Sequence, residues 1–549
     1  MKISVAQLNY TIGDFEKNCD LICSAIRKSK AQGADLVIFS ELCVPGYPPL
    51  DLLDRLDFVE KCSATVNEIA KSCQGIAAIV GSPVLNNNKS GKKLYNSALL
   101  LYEGRIIATA NKALLPTYDI FDEYRYFEPE KSFAVTEFKG LKIAMTICED
   151  LWDEQHFDNE FEKSRLYSIS PADELSKQAP DIFINISASP FSYSKIEAKE
   201  EIFRSKAVRT GRPVIMVNQT GANTELIFEG GSMVINGKGQ LVDRLPFFEE
   251  IIRIYEIGDI ISGSWGQFEK TDHVKLMHDA LVMGVRDYFK KSGLKDAILG
   301  LSGGIDSAVT LCIAEQALGK NHVRTLLMPS RYSSDHSVKD AVDLAKRLGI
   351  KYDILSIEKP FAAFESVLEP AFENMKEDIT EENLQARIRA ILLMAISNKF
   401  GCILLNTSNK SEASVGYGTL YGDMAGGLSV IGDVYKTDVY RIAEYINREK
   451  EIIPRNTIQK LPSAELKPGQ LDSDSLPEYC ILDSILFKYI ELQKDAASII
   501  REGDDAEVVQ RVIRLIDFNE YKRYQAPPVL RISSKAFGAG RRMPLVAKY

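Results

Sequence analysis

Two groups of residues in this 549-residue chain have the types and spacing that chemistry requires. The first is the run Leu299-Gly-Leu-Ser-Gly-Gly-Ile-Asp-Ser307, in which an apolar strand leads through a glycine pair into a helix. Gly303 and Gly304 open backbone angles closed to other residues and let the chain approach a ligand. The N–H groups that start the helix, with its dipole, then make an anion site. Ser302 and Ser307 add hydroxyls, and Asp306 can hold a divalent cation against phosphate oxygens. The run has no lysine in the G-x-x-x-x-G-K-[ST] position, which excludes a Walker A loop. The second group is Glu41, Lys112 and Cys148, which stand at strand or loop ends. A thiol, a carboxylate base and a cation for the oxyanion suit attack on an amide carbon. An adjacent ammonium would also lower the thiol pKa toward the working range.

The elements that must carry these residues follow from the apolar pattern. Residues 36–39 lead to Glu41 and 142–147 to Cys148, while 182–186 lead to Ser187 and Ser189 and 214–217 to Asn218. A helix is expected over 18–32. Successive apolar positions mark strands buried on both faces, so the first half reads as an α/β layered domain. Around 258–271 the pattern breaks into Ser262-Gly-Ser-Trp-Gly266, which predicts domains over 1–260 and 270–549. Beyond it, strands over 297–301, 323–328, 352–357 and 402–406 alternate with helices. That alternation predicts a doubly wound parallel sheet with ligands at the carboxyl ends of its strands. A helix opening at 380–389 is expected to bury Leu384, Ile388, Ile391 and Leu392.

The length is too great for one core. A net charge of -9 argues against general nucleic-acid binding. The nine cysteines are scattered; Cys19 and Cys23 lie one helical turn apart, but no second pair completes a zinc site. Free thiols suit a reducing cytoplasm. The first eight residues read as a strand rather than a signal peptide, and no apolar run is long enough to cross a bilayer. A cytoplasmic homo-oligomer that binds small molecules, and neither nucleic acid nor membrane, is expected.

The Ser-Gly-Gly-Ile-Asp-Ser loop resembles the signature of PP-loop ATP pyrophosphatases, which split ATP into AMP and pyrophosphate to adenylate an acceptor. The segments 39–47, 111–126 and 146–152 resemble the nitrilase/amidase superfamily over about the first 260 residues, with its Glu-Lys-Cys order matched. This resemblance implies an α-β-β-α sandwich with Cys148 as nucleophile, Glu41 as general base and Lys112 as oxyanion stabiliser. Glu123 would be a further carboxylate that orients them. Leu115-Pro-Thr-Tyr118 and Phe121-Asp-Glu-Tyr-Arg-Tyr126 resemble the glutaminase version found in NAD synthetases, which implies that Tyr118, Ser189 and Lys195 hold glutamine. Ser194 stands there where glycine is common.

From about Asp272 onward, NTSNKSE (406–412), GYGTLYGD (416–423), YKTDVY (435–440), PSAELKPGQ (462–470) and KRYQAPP (522–528) resemble NAD synthetases in the family's order. The resemblance implies that Gly300, Leu301, Ser302, Gly303, Gly304, Ile305, Asp306 and Ser307 form the ATP pyrophosphate loop. It adds Arg331, Thr407 and Ser463 as ATP contacts, and Asn383, Glu412, Asp423, Lys436 and Lys522 as deamido-NAD contacts. Asp306 and Glu412 would hold Mg²⁺, and Lys535 fits a C-terminal segment closing over the phosphates. Together the halves imply ATP-dependent amidation of deamido-NAD with ammonia from glutamine, giving NAD⁺, AMP, pyrophosphate and glutamate. Two other readings stand beside it: a PP-loop enzyme acting on tRNA, and an amidase whose second half senses nucleotides.

Overall fold

The computed structural model describes residues 1–153, 166–263, 271–373 and 375–547. They form two compact units, the first ending at Thr271 and the second beginning at Asp272. Most of the expected boundary, residues 264–270, lies outside the described residues.

In the first unit two six-stranded sheets stack face to face. One runs in the order Ile251–Glu256, Lys2–Gln7, Leu36–Ile38, Ala77–Leu85, Leu94–Tyr102, Arg105–Asn111. The other runs Leu241–Arg244, Met233–Ile235, Val214–Asn218, Ile182–Ser187, Leu141–Ile147, Thr136–Phe138. Ile3, Val5 and Ile38 of the first pack with Ile143, Met145 and Ile184 of the second. The alternate positions face outward onto helices. Val37 packs with Ile22 and Ile26 of helix Phe15–Ala31, and Phe183 with Phe203 of helix Ile196–Thr210. Each such burial contributes about 1.5–3 kcal/mol, and a one-residue slip would turn a whole inner face outward. This is the expected α-β-β-α sandwich. Its first helix starts earlier than expected, because Asp14 caps it by accepting the N–H of Lys17.

The second unit is built on a five-stranded parallel sheet ordered Lys351–Ile354, Val323–Leu327, Ala297–Gly300, Ile403–Asn406, Leu428–Ser429. Ala297–Gly300 has a later strand on each side, so the chain reverses its winding there. A crevice at its carboxyl end is where such folds bind ligands. Helix Ile379–Phe400 departs from expectation. It buries Gln385, Ala386, Ile388 and Ala390, whereas Ile391 is 57% exposed. Its inward side carries small and polar residues because it faces a cavity. Ile391 instead joins Phe364, Val367, Ile379, Met394 and Phe400 as exposed apolar side chains on this helix and helix Glu358–Phe372.

Candidate active sites

In the first unit, strand ends deliver the reactive residues. Leu36–Ile38 leads through Phe39 and Ser40 to Glu41, Arg105–Asn111 is followed by Lys112, and Leu141–Ile147 by Cys148. Glu41, Lys112, Glu123 and Cys148 are all buried. Nζ of Lys112 donates to Oε1 of Glu41 at 2.8 Å and to the two Glu123 oxygens at 2.9 and 2.7 Å. These three acceptors match the three donors of an ammonium. Further donors fix the carboxylates: Asn96 Nδ2 to Glu41 Oε1 at 2.7 Å, the Ala188 N–H to Glu41 Oε2 at 3.0 Å, and the Tyr47 hydroxyl to Glu123 at 3.1 Å. Cys148 has φ +42°, a left-handed backbone costing roughly 1–2 kcal/mol for a residue with a side chain. Strain of this kind gathers at functional sites. Asn185 Nδ2 donates to the Cys148 carbonyl at 3.3 Å and helps to hold it.

Burial pushes the Cys148 thiol well above its ordinary pKa; Glu41 adds to the rise, and the opposing pull of Lys112 does not overcome it. Lys112 lowers the thiol as expected, but burial keeps the net pKa from reaching the working range. The negative charges of Glu41, Glu149 and Glu123 oppose the pull of that ammonium at sulfur. Burial also disfavours the Lys112 charge, but Glu123 and Glu41 outweigh it and hold the ammonium firmly protonated. Burial pushes Glu123 up to about 7 against the pull of Lys112. Two carboxylates competing for one cation leave one of them easy to protonate. With its pKa raised, the Cys148 sulfur rests as a neutral thiol.

Of the residues expected at glutamine, Tyr118 donates its hydroxyl to both oxygens of Glu149 at 3.0 Å. The Ser189 N–H donates to Asn218 at 2.9 Å, one residue beyond the bond from Ala188 to Glu41. Lys195 is exposed at the start of helix Ile196–Thr210. Glu149 was not singled out in the sequence. It is buried beside Cys148, accepts a second hydroxyl from Tyr167 at 3.0 Å, and is pushed up to about 7 by burial. Its signal was only its place after Cys148.

The second unit has a cavity of ≈ 450 Å³ at the carboxyl ends of its strands. The loop from Gly300 to Ser307 forms one wall, with Leu301, Ser302, Gly304, Ile305 and Asp306 lining it. Gly303 has φ +82°, and a Cβ there would stand 2.2 Å from the Ser337 carbonyl oxygen. Gly304 has an ordinary φ of -81°, so the need for special angles holds only at Gly303. The Ser302 and Ser307 hydroxyls lie 3.1 Å apart, and the Gly304 N–H donates to Ser302 Oγ at 3.1 Å, which sets the loop's shape.

Opposite this loop, Lys436 Nζ donates to Asp306 at 2.6 Å and to Glu412 at 3.3 Å. Burial opposes the Lys436 charge, but Asp306 and Glu412 outweigh it; burial also pushes Glu412 up to about 8. Asn409, another residue not foreseen, donates to Asp306 at 2.9 Å and accepts the Glu412 N–H at 2.9 Å. The Asn409-x-x-Glu412 capping box was the legible signal for it. Among the described residues no cluster of three or more His, Cys, Asp or Glu could hold a metal. Mg²⁺ needs only one or two carboxylates when phosphates supply other ligands, and Asp306 and Glu412 already converge on one positive charge. The donor set fits.

Thr407, Asn383, Asp423, Ser463 and Lys522 also line the cavity. Asn383 accepts the Thr419 hydroxyl at 2.7 Å, Asp423 the Thr419 N–H at 2.8 Å, and Lys522 donates to the Gly416 and Gly418 carbonyls at 2.7 and 2.9 Å. These three therefore hold the glycine-rich loop as well as facing the cavity. Ser463 donates to the Gln470 carbonyl at 2.5 Å. Arg331 is not among the lining residues; it bonds Glu358 at 3.0 Å and stacks on Phe361. Arg389 also lines the cavity, and burial lowers its guanidinium to about 10. The backbone at Lys535 is tied down, since its carbonyl accepts from buried Lys410 at 3.0 Å.

The carbon-nitrogen hydrolase family model matches residues 2–260, and the NAD synthase model matches residues 277–526. A glutamine-dependent NAD(+) synthetase of Synechocystis sp. is 44% identical, with 100% of this chain and 99% of that protein covered. The chain belongs to the glutamine-dependent NAD(+) synthetase family. A relative of the same name from Thermotoga maritima is 39% identical, with 100% and 99% covered. A family structure from Acinetobacter baumannii, in complex with ADP, is 38% identical with a TM-score of 0.78, over 99% of this chain and 98% of that one.

The raised thiol generates a prediction. At about pH 7.5, N-ethylmaleimide should label exposed Cys480 at least about tenfold faster than Cys148, because only thiolate reacts. Peptide mass spectrometry of a labelling time course checks it, and preferential labelling of Cys148 would contradict the neutral-thiol assignment.

Proposed function

We propose that this chain makes NAD⁺ from deamido-NAD and ATP, with glutamine as nitrogen donor. We assign residues 1–260 to glutamine hydrolysis and 270–549 to synthesis. The observation that carries the reading is a full-length family match in which each unit holds a buried lysine bridging two carboxylates. In the first unit Glu41 takes the Cys148 proton as sulfur attacks the amide carbon of glutamine. Lys112 stabilises the oxyanion as a fixed charge, and Glu41 returns the proton to the departing ammonia. Water, deprotonated by Glu41, then cleaves the thioester and releases glutamate. Tyr118, Ser189 and Lys195 hold the substrate, and Glu149 meets its α-ammonium.

In the second unit the nicotinate carboxylate attacks the α-phosphorus of ATP, expelling pyrophosphate and forming an acyl-adenylate. Ammonia attacks that carbonyl and AMP leaves. The loop 300–307, Thr407, Ser463 and Arg331 bind ATP; Arg331 must leave Glu358 to do so. Asn383, Glu412, Asp423, Lys436 and Lys522 bind deamido-NAD. Mg²⁺, held by Asp306 and Glu412, would spread the phosphate charge. The exposed apolar residues on helices Glu358–Phe372 and Ile379–Phe400 support self-association as a homo-oligomer. Nine free thiols support a cytoplasmic setting, and among the described residues no helix is long and apolar enough to cross a membrane.

Three results are expected. Cys148→Ala abolishes NAD⁺ formation with glutamine and leaves formation with ammonia within about twofold, since the second unit's chemistry does not use the thiol. Stoichiometric AMP and pyrophosphate accompany NAD⁺, and ADP with phosphate as products would refute the PP-loop assignment. Glu149 is neutral below about 7 and charged above it, so the KM for glutamine rises as the pH falls through that value. Glu149→Gln removes this dependence, and an unchanged KM profile in that variant would remove Glu149 from the substrate site.

A further inference from the structure

The two halves of the glutaminase constellation come from different sheets. Glu41 and Lys112 follow strands of one sheet and Cys148 follows a strand of the other. No hydrogen-bonded ladder fixes the spacing between stacked sheets, which rests on side-chain packing. Catalysis needs that spacing set closely, because a misplacement of about 1 Å can cost about 100-fold in rate.

Glu41 reaches the Ala188 N–H across this gap, and a second buried side chain spans it beside the nucleophile turn. Asp150 is 3% exposed. Its Oδ1 accepts the N–H groups of Ala113 and Leu114 at 2.9 and 3.0 Å, and its Oδ2 accepts the Ile147 N–H at 3.0 Å. Ala113 and Leu114 directly follow Lys112, and Ile147 directly precedes Cys148. Hydrogen bonds to an ionised carboxylate are stronger than neutral ones. We propose that Asp150 is a positioning residue that clamps the Lys112 segment to the Cys148 turn and so sets the distance between nucleophile and oxyanion charge. It touches no reacting atom; it acts through the backbone on either side of the two residues that do. Burial pushes its pKa up to about 6 against the pull of these N–H groups, which leaves it the anion that three donors require near neutral pH.

This inference rests on the glutaminase reading above. Asp150→Asn keeps the volume but turns an amide NH₂ toward one of the N–H groups, so at least one bond is lost. In the full chain we expect kcat for glutamate release to fall about 100-fold. The KM for glutamine and the rate of ammonia-supported NAD⁺ synthesis should stay within about twofold, because neither depends on the clamp. A kcat within about threefold of the unaltered enzyme, or a loss confined to KM, would overturn the proposal. If Asp150→Asn does not fold, residue-resolved hydrogen exchange on the unaltered protein decides. The Ala113, Leu114 and Ile147 amides should then be protected to within about tenfold of one another, as one cooperative opening. An Ile147 amide exchanging like a surface loop would overturn it. An unaltered enzyme that releases no glutamate would instead reject the glutaminase reading, whatever the exchange pattern.

Discussion

Both sites depend on one costly interaction, a buried ammonium shared by two carboxylates. Lys112 lies between Glu41 and Glu123, and Lys436 between Asp306 and Glu412. A third such lysine, Lys410, joins Asp433 and Glu491 at 2.9 Å each and also bonds Ser533 and the Lys535 carbonyl. Removing such charges from water costs several kcal/mol per ion, and deleting one partner of a buried pair costs about 3–5 kcal/mol. An arrangement this demanding persists only where the scaffold holds every oxygen and proton in place. Here Asn96, Ala188 and Tyr47 brace the carboxylates of the first set, and Asn409 those of the second.

The scaffold meets that demand by placing charges beyond strand ends, on the loops and helix starts that follow. At a strand's carboxyl end the ladder is finished, and side chains can converge from neighbouring strands. In the first unit this brings groups from two sheets together. In the second it places the loop 300–307 at the switch point of the parallel sheet. Each site also contains left-handed backbone, at Cys148 in one and at Gly303 in the other. Gly303 bears its conformation without a side-chain clash, because any Cβ would meet the Ser337 carbonyl. Cys148 has no such relief and relies on the bonds around it.

Much of this was legible in the chain itself. Unbroken apolar runs marked the core strands, and the residues after them, Glu41, Cys148 and Ser189, stood out because polar side chains end those runs. The layered fold of the first unit and the parallel sheet of the second followed from the same pattern. What escaped was set by tertiary context. The thiol's pKa is set by its burial and by the carboxylates around it more than by Lys112, which no spacing reveals. Ile391 reads as core by periodicity, yet its helix turns small residues to a cavity. Asn409 and Glu149 carry ordinary side chains whose importance lies in what they reach, and Arg331 reaches Glu358 rather than the cavity.

The central claim is that each shared ammonium serves its own reaction. The most direct test measures glutamate release and ammonia-supported NAD⁺ synthesis for Lys112→Met and Lys436→Met in the full chain. The account predicts that Lys112→Met stops glutamate release while ammonia-supported synthesis continues, and that Lys436→Met stops synthesis while glutamate release persists. Loss of both activities to the same degree in either folded variant, or full synthesis by Lys436→Met, would contradict it.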